Sequence, residues 1–238
     1  MKYIVKNNNE PTILTRYRST PGADYNKSKP PTDVKDEIRK SLIQEQGYIC
    51  CYCMKRITLS YGTTKIEHFK PRKIYNGSNG KPNLKLSYDN MLLACTGMEL
   101  DEQGNNIFCC DTKKDDSELF YVNPLNENIE NVFYYTKDGE IKSHNENIQN
   151  EIDNVLNLNN QKLKEYRKKK YSYAKQIIEK AEEQKKCSLG FLNDMRKKWY
   201  EVDSDGMFKE FCMVVVYLID KKIKKIKKIN EIKHKRNN

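Results

Sequence analysis

Four stretches between Cys50 and Lys114 carry the side chains able to do chemistry: Cys50-Cys51-Tyr52-Cys53, Ile66-Glu67-His68-Phe69-Lys70-Pro71, Tyr88-Asp89-Asn90 through Cys95, and Cys109-Cys110-Asp111 through Lys114. Two kinds of donor alternate there. Thiolates are soft ligands suited to tetrahedral Zn²⁺, and a Cys-x-x-Cys knuckle supplies two of them from one tight turn. Cys50 and Cys53 have that spacing, and Cys95 with Cys110 is the expected second pair. Cys109 can replace Cys110, and Cys51 can compete with Cys50. A zinc held this way is structural and staples a segment too small and loop-rich to hold a rigid site alone.

The second kind of donor is hard. Glu67 and Asp111 are oxygen ligands of the type taken by Mg²⁺ or Mn²⁺. Hydrolysis of a phosphodiester needs a nucleophilic water, a sink for the charge of the transition state and help for the leaving oxygen. His68 is the expected general base, because a neutral imidazole ordinarily titrates near the working pH. The other two histidines, His144 and His234, stand in polar surroundings and read as surface residues.

The elements that must position these groups follow from pattern. A helix is expected from Thr32 or Asp33, with Val34, Ile38, Leu42 and Ile43 on one face and Gly47 as its stop, delivering the chain to Cys50. Residues 65 to 69 read as a short strand broken by Pro71, and 75 to 82 as a loop with Asn76-Gly77 and Asn79-Gly80. Ser87 is expected to cap a short helical turn carrying Met91, Leu92 and Leu93, so that Cys95 ends a helical turn. A polar insertion, 96 to 108, separates it from a second short helix near Asp111. Residues 1 to 32 read as an extended arm. Beyond Leu119, Val132 to Ile141 with a turn at Asp138-Gly139 suggests a β-hairpin. Helices are expected at roughly 146 to 156, 160 to 186, 189 to 202 and 207 to 230. In the second, Leu163, Tyr166, Tyr173, Ala174, Ile177 and Ala181 recur at helical spacing and read as a core stripe. The last ends in Lys221-Lys222-Ile223-Lys224-Lys225-Ile226-Lys227-Lys228, a basic amphipathic tail. The fold class is therefore α+β, organised as an arm and helix (1–48), a cysteine-caged core (49–116), and a hairpin followed by a helical region with a basic tail (117–238).

Composition limits the partners. In 238 residues, 44 Lys and Arg stand against 33 Asp and Glu, a formal charge of +11 that attracts polyanions by counterion release. Nucleic acid is the natural partner. No apolar h-region opens the chain, and the longest apolar run, Phe211 to Ile219, is less than half of the ~20 residues that span a bilayer. A cytoplasmic protein with no membrane contact is expected. In that reducing setting eight cysteines are not a disulfide framework, and six of them cluster where a metal would sit. Cys187 and Cys212 read as buried small hydrophobes. No Gly-x-x-x-x-Gly-Lys phosphate loop occurs.

The order Cys-x-x-Cys, Glu-His-x-x-Pro, Asn-x-Leu-Leu-x-Cys and Cys-Asp-x-x-Lys, over residues 48 to 114, resembles the zinc-knuckle branch of the HNH nucleases. That resemblance implies a small zinc-stapled ββα-metal core. It places Glu67 and Asp111 at the catalytic metal, His68 as general base, Asn90 as the brace of the loop that carries the base, and Lys114 as a neutraliser of phosphate charge. Asp111 departs from the His or Asn of many members. A wider match is similar to the PtuB-type HNH subunit of Septu and retron-associated anti-phage systems; it takes in Tyr17-Arg18, Glu45-Gln46-Gly47, Asn123-Pro124 and Leu156-Asn157-Leu158-Asn159. It implies an endonuclease, with DNA the favoured substrate, that works with a separate ABC- or SMC-like ATPase and, in retron settings, with a reverse transcriptase and its DNA-RNA product. Two other functions fit the same residues. One is a non-catalytic zinc-ribbon adaptor that holds nucleic acid, and the other a toxin-like nuclease that cleaves RNA.

Overall fold

Two five-residue segments pair antiparallel at the centre of the molecule: β1 (Thr64–His68) and β2 (Met91–Cys95), in a register that sets Thr64 against Cys95 and His68 against Met91. The computed structural model describes residues 1–7, 9–26, 28–60 and 62–237. β2 is buried at every position. The expected helical turn over Met91 to Leu93 is therefore corrected: only Tyr88–Asn90 turns, as a short 3-10 segment, and the apolar run is a strand whose last residue is Cys95. A short continuous apolar run fits a buried strand as well as a buried helix by periodicity alone. Its partners decide it. β1 takes one edge, and on the other the Gln46 amide accepts from Leu93 N–H at 2.7 Å and donates to the Leu93 carbonyl at 2.7 Å.

Gln46 stands just past α2 (Thr32–Glu45), so the helix that leads to the cysteines is also pinned to the strand. Gly47 follows at φ +54°, and a β-carbon there would lie 2.4 Å from the Phe208 ring. Only glycine lets that segment close over the knuckle.

After β2 the polar insertion forms a second hairpin, β3 (Met98–Leu100) with β4 (Asn106–Phe108), and the chain enters α3 (Cys110–Lys114). A third pair, β5 (Tyr134–Tyr135) with β6 (Ile141–Lys142), precedes α4 (Glu146–Asn150), which runs on through one π turn. Then come α5 (Gln161–Glu183), capped by the Asn160 side chain, α6 (Leu189–Tyr200), capped by Ser188, and α7 (Cys212–Asn237). The architecture is α+β, with small antiparallel sheets and a helical C-terminal region. No helix among the described residues is long and apolar enough to cross a membrane.

One buried cluster runs from Met1 to Val216 through all three segments, and a smaller one joins α5, α6 and α7 around Ala174, Leu192 and Ile219. The first 32 residues are not an extended arm throughout. They contain α1 (Thr12–Arg18); Met1, Ile4 and Leu14 are core, and the Met1 ammonium donates to Tyr135 Oη at 2.7 Å. Apolar side chains spaced through a polar segment were enough to fold it back. The stripe on α5 also divides. Leu163, Ala174 and Ala181 are buried, whereas Tyr173 is 50% exposed. On α7, Ile219 is buried but Ile229 and Ile232 are exposed, so the helix outruns the core that its first turns help to build.

Candidate functional site

The knuckle is a tight turn in which Met54 N–H donates to the Cys50 carbonyl and Cys50 N–H to the Lys55 carbonyl. It faces the end of β2 and the start of α3. As a result the sulfurs of Cys50, Cys53, Cys95 and Cys110 all lie within 4.8 Å of one another, all buried, with Cys53 and Cys95 3.8 Å apart. Cys109 and Cys51 are buried beside this group but outside it. Cys109 keeps an extended backbone, while Cys110 adopts a left-handed φ of 53°. Burial opposes ionisation of Cys50, yet hydrogen bonds from Cys110 and the neighbouring thiols hold it well below the ordinary thiol value. Hydrogen bonds with Cys109 and the other cage thiols push Cys110 well above it. Four thiols sharing protons in a dry cage are a donor set that a soft dication satisfies by displacing those protons. The cluster is compatible with a structural zinc site, closed on all sides.

Next to the cage, α2, β1 and α3 enclose a cleft of about 630 Å³, lined by Glu67, His68 and Asp111 together with Lys35, Arg39 and Arg72. Glu67 is 2% exposed. Its Oε1 accepts from Tyr52 Oη at 2.7 Å and pairs with Lys114 Nζ at 2.9 Å. Burial and then the facing Asp111 carboxyl raise Glu67 well above the usual carboxylate range, in spite of Lys114. Two carboxylates facing each other at the end of a strand and the start of a helix are an oxygen set that fits a hard divalent cation. With two protein ligands, such a cation keeps several waters.

His68 Nε2 lies 2.9 Å from the Lys85 carbonyl. A carbonyl only accepts, so Nε2 carries the proton and Nδ1 is the free base. Burial pushes the imidazole down to about 3, so the ring is neutral, well away from the near-neutral titration expected of an exposed histidine. Tyr25 packs edge-on against it, with ring centroids 4.4 Å apart, and Arg72 lies over the Tyr25 ring. Asn90 is no ligand: its Oδ1 accepts from Lys70 N–H at 2.7 Å, and its Nδ2 donates to the carbonyls of Lys70 and Leu84.

Neither a protein-family model nor a curated protein matches this chain.

Lys114 is 1% exposed and spends its charge on Glu67 and on the His68 carbonyl at 3.3 Å, so it cannot meet a phosphate as anticipated. Its place in the last turn of a five-residue helix, one turn from Cys110, turns it inward. The cationic side chains that do line the cleft come from residues that the motif does not mark. Lys35 and Arg39 are an i, i+4 pair on the polar side of α2, and Arg72 follows the Pro71 that ends β1. Tyr52 is another residue that the motif does not mark. A phenol between two cage cysteines is the signal, since the turn that aims the flanking thiols one way sends it the other.

Proposed function

We propose that the chain is a metal-dependent endonuclease of the HNH type, built on a ββα-metal core of β1, β2 and α3, and that it hydrolyses phosphodiester bonds of DNA. One observation carries this: a single cleft holds two facing carboxylates and a neutral imidazole beneath three cationic side chains. Glu67 and Asp111 would hold Mg²⁺ or Mn²⁺, which supplies positive charge against the developing phosphorane. Lys35, Arg39 and Arg72 draw the backbone phosphate into the cleft and orient it. His68 Nδ1 takes the proton of the attacking water, while its Nε2–H on Lys85 keeps the tautomer fixed. Tyr52 and Lys114 hold the Glu67 carboxylate by the same oxygen, Oε1. The thiol cage keeps knuckle, strand and helix in register.

The same atoms cleave RNA, so ribonucleic acid is the nearest competing substrate. An effector role in phage defence beside a separate ATPase, and in retron settings a reverse transcriptase and its product, belongs to this proposal through the motif resemblance alone. The lack of a phosphate loop in this chain agrees with an ATPase supplied in trans.

His68→Ala tests the assignment on plasmid DNA with added Mg²⁺ or Mn²⁺. Nicking should fall by about 10²- to 10⁴-fold, with zinc content and helical signal unchanged. Cleavage at the wild-type rate by a folded variant would sink it.

A further inference from the structure

A second cleft, of about 940 Å³, shares no lining residue with the first. Its wall is aromatic: Tyr166 and Tyr173 from α5, Trp199 from α6, and Phe211 just before α7. Its rim is basic. Tyr166, Lys169, Lys170 and Tyr173 stand at i, i+3, i+4 and i+7 on α5, so one helical face presents two rings with two ammonium groups between them. Lys209 reaches in from the segment before α7, its Nζ 5.9 Å from the Trp199 ring centroid. Tyr173 and Trp199 lie 6.0 Å apart at 57° and line the opening together.

Charge separates this cleft from an ordinary solvated face. Elsewhere on α5, Lys162 and Lys175 close salt bridges with Glu165 and Glu179. Lys169, Lys170 and Lys209 close none among the described residues. The one acid on the wall, Glu210, is taken up by the Arg56 backbone N–H at 2.9 Å.

We infer that this cleft binds single-stranded nucleic acid, with bases stacked on Trp199 and Tyr173 and the backbone phosphates on Lys169, Lys170 and Lys209. A half-exposed tyrosine and a partly buried indole beside lysines that close no salt bridge are the chemistry by which a strand is held without regard to sequence. A duplex keeps its base faces stacked internally and cannot offer them to these rings. An acidic protein segment would satisfy the lysines but leave a half-exposed tyrosine and an indole without a planar partner. The inference goes beyond the hydrolytic site and stands or falls without it, because binding here requires neither His68 nor an added cation.

The molecule supplies its own probe, since Trp199 is its only tryptophan. Unlabelled (dT)10 titrated into the full chain, with no divalent ion added, should quench Trp199 fluorescence saturably. Tyr173→Ala should weaken that binding at least about fivefold. Lys169→Glu with Lys170→Glu should weaken it further and make the slope of log affinity on log salt shallower by about 1.4, two phosphate contacts at ~0.7 each. Circular dichroism of each variant checks the fold. No quench by (dT)10, an equal quench by a blunt 10-base-pair duplex or by poly-glutamate, or a quench indifferent to both lysines, would each overturn the assignment. None of these readouts depends on cleavage, so the loss of this cleft and the loss of nuclease activity are distinguishable.

Discussion

The thiol cage and the carboxylate cleft meet at α3 and differ in nearly every physical respect: the cage joins the knuckle, β2 and α3, whereas α2, β1 and α3 line the cleft. Cys110 and Asp111 are consecutive on α3, yet one turns its sulfur into a closed, buried group and the other turns its carboxylate toward an open cleft. The knuckle does the same: Cys50 and Cys53 face the cage, and Tyr52 between them holds Glu67. Four soft donors with no open position suit a metal that holds structure. Two hard donors beside solvent suit one that exchanges water. The difference teaches that one short helix can serve a closed group of soft donors and an open cleft of hard ones at once, through neighbouring residues.

The comparison breaks most completely if the cage is opened. Cys53→Ala removes one of four thiols, and the variant should lose its stoichiometric zinc and more than about 4 kcal/mol of stability, read by metal analysis and denaturant unfolding. Cleavage should vanish with it, although the changed residue is not in the cleft. Cys109→Ala is the matched control. That thiol is equally buried but outside the cage, so one zinc per chain should remain. Zinc lost from Cys109→Ala and kept in Cys110→Ala would reverse the assignment of the fourth ligand.

The next effect falls on the pair that joins β1 to α3. Lys114 and Glu67 are 1% and 2% exposed, and removing Lys114 takes the one counter-charge from a buried carboxyl that already faces Asp111. Lys114→Met should cost about 3 to 5 kcal/mol while zinc stays bound. Adding Glu67→Gln should restore most of that stability by removing one of two carboxyls left facing each other, but not cleavage. Should the double variant regain activity as well, Glu67 is only a structural partner of Lys114, and the oxygen site is lost.

Much of this was legible in residue types and spacing. The knuckle spacing and the helix over α2 follow from short-range pattern, whereas the second thiol pair and the meeting of Glu67 with Asp111 were expected from the order of the motifs along the chain. What was not legible came from long-range packing. Met91 to Ala94 carries no periodicity that separates a buried strand from a helix, and its edge partners β1 and Gln46 decide it. The fate of Lys114 depended on which way a five-residue helix is rolled. Tyr173 looked like core because it shares a stripe with Leu163 and Ala174, yet its neighbours on α6 leave it half exposed. The same blindness hid Arg72, which becomes relevant only after Pro71 turns the chain back across the cleft mouth.

Asn90 gives the smallest of these effects and the sharpest one. Its side chain makes three hydrogen bonds, two to the main chain of Lys70 and one to the Leu84 carbonyl. Lys70 follows the strand that carries His68, and Leu84 adjoins Lys85, whose carbonyl receives the His68 ring proton. One amide thus fixes both ends of the imidazole without touching it. Asn90→Ala should cost only about 1 to 3 kcal/mol and keep the zinc. Cleavage should nevertheless fall by more than that loss of stability explains at temperatures where the variant is fully folded, because the base loses its aim. Asn90→Asp is the stricter variant, since it preserves shape and the acceptor to Lys70 N–H but cannot donate to either carbonyl. If Asn90→Asp cleaves like the wild type, the loop holds its own conformation and the brace is dispensable. If it fails while remaining folded and zinc-loaded, two donated hydrogen bonds are what separates a buried histidine from a working base.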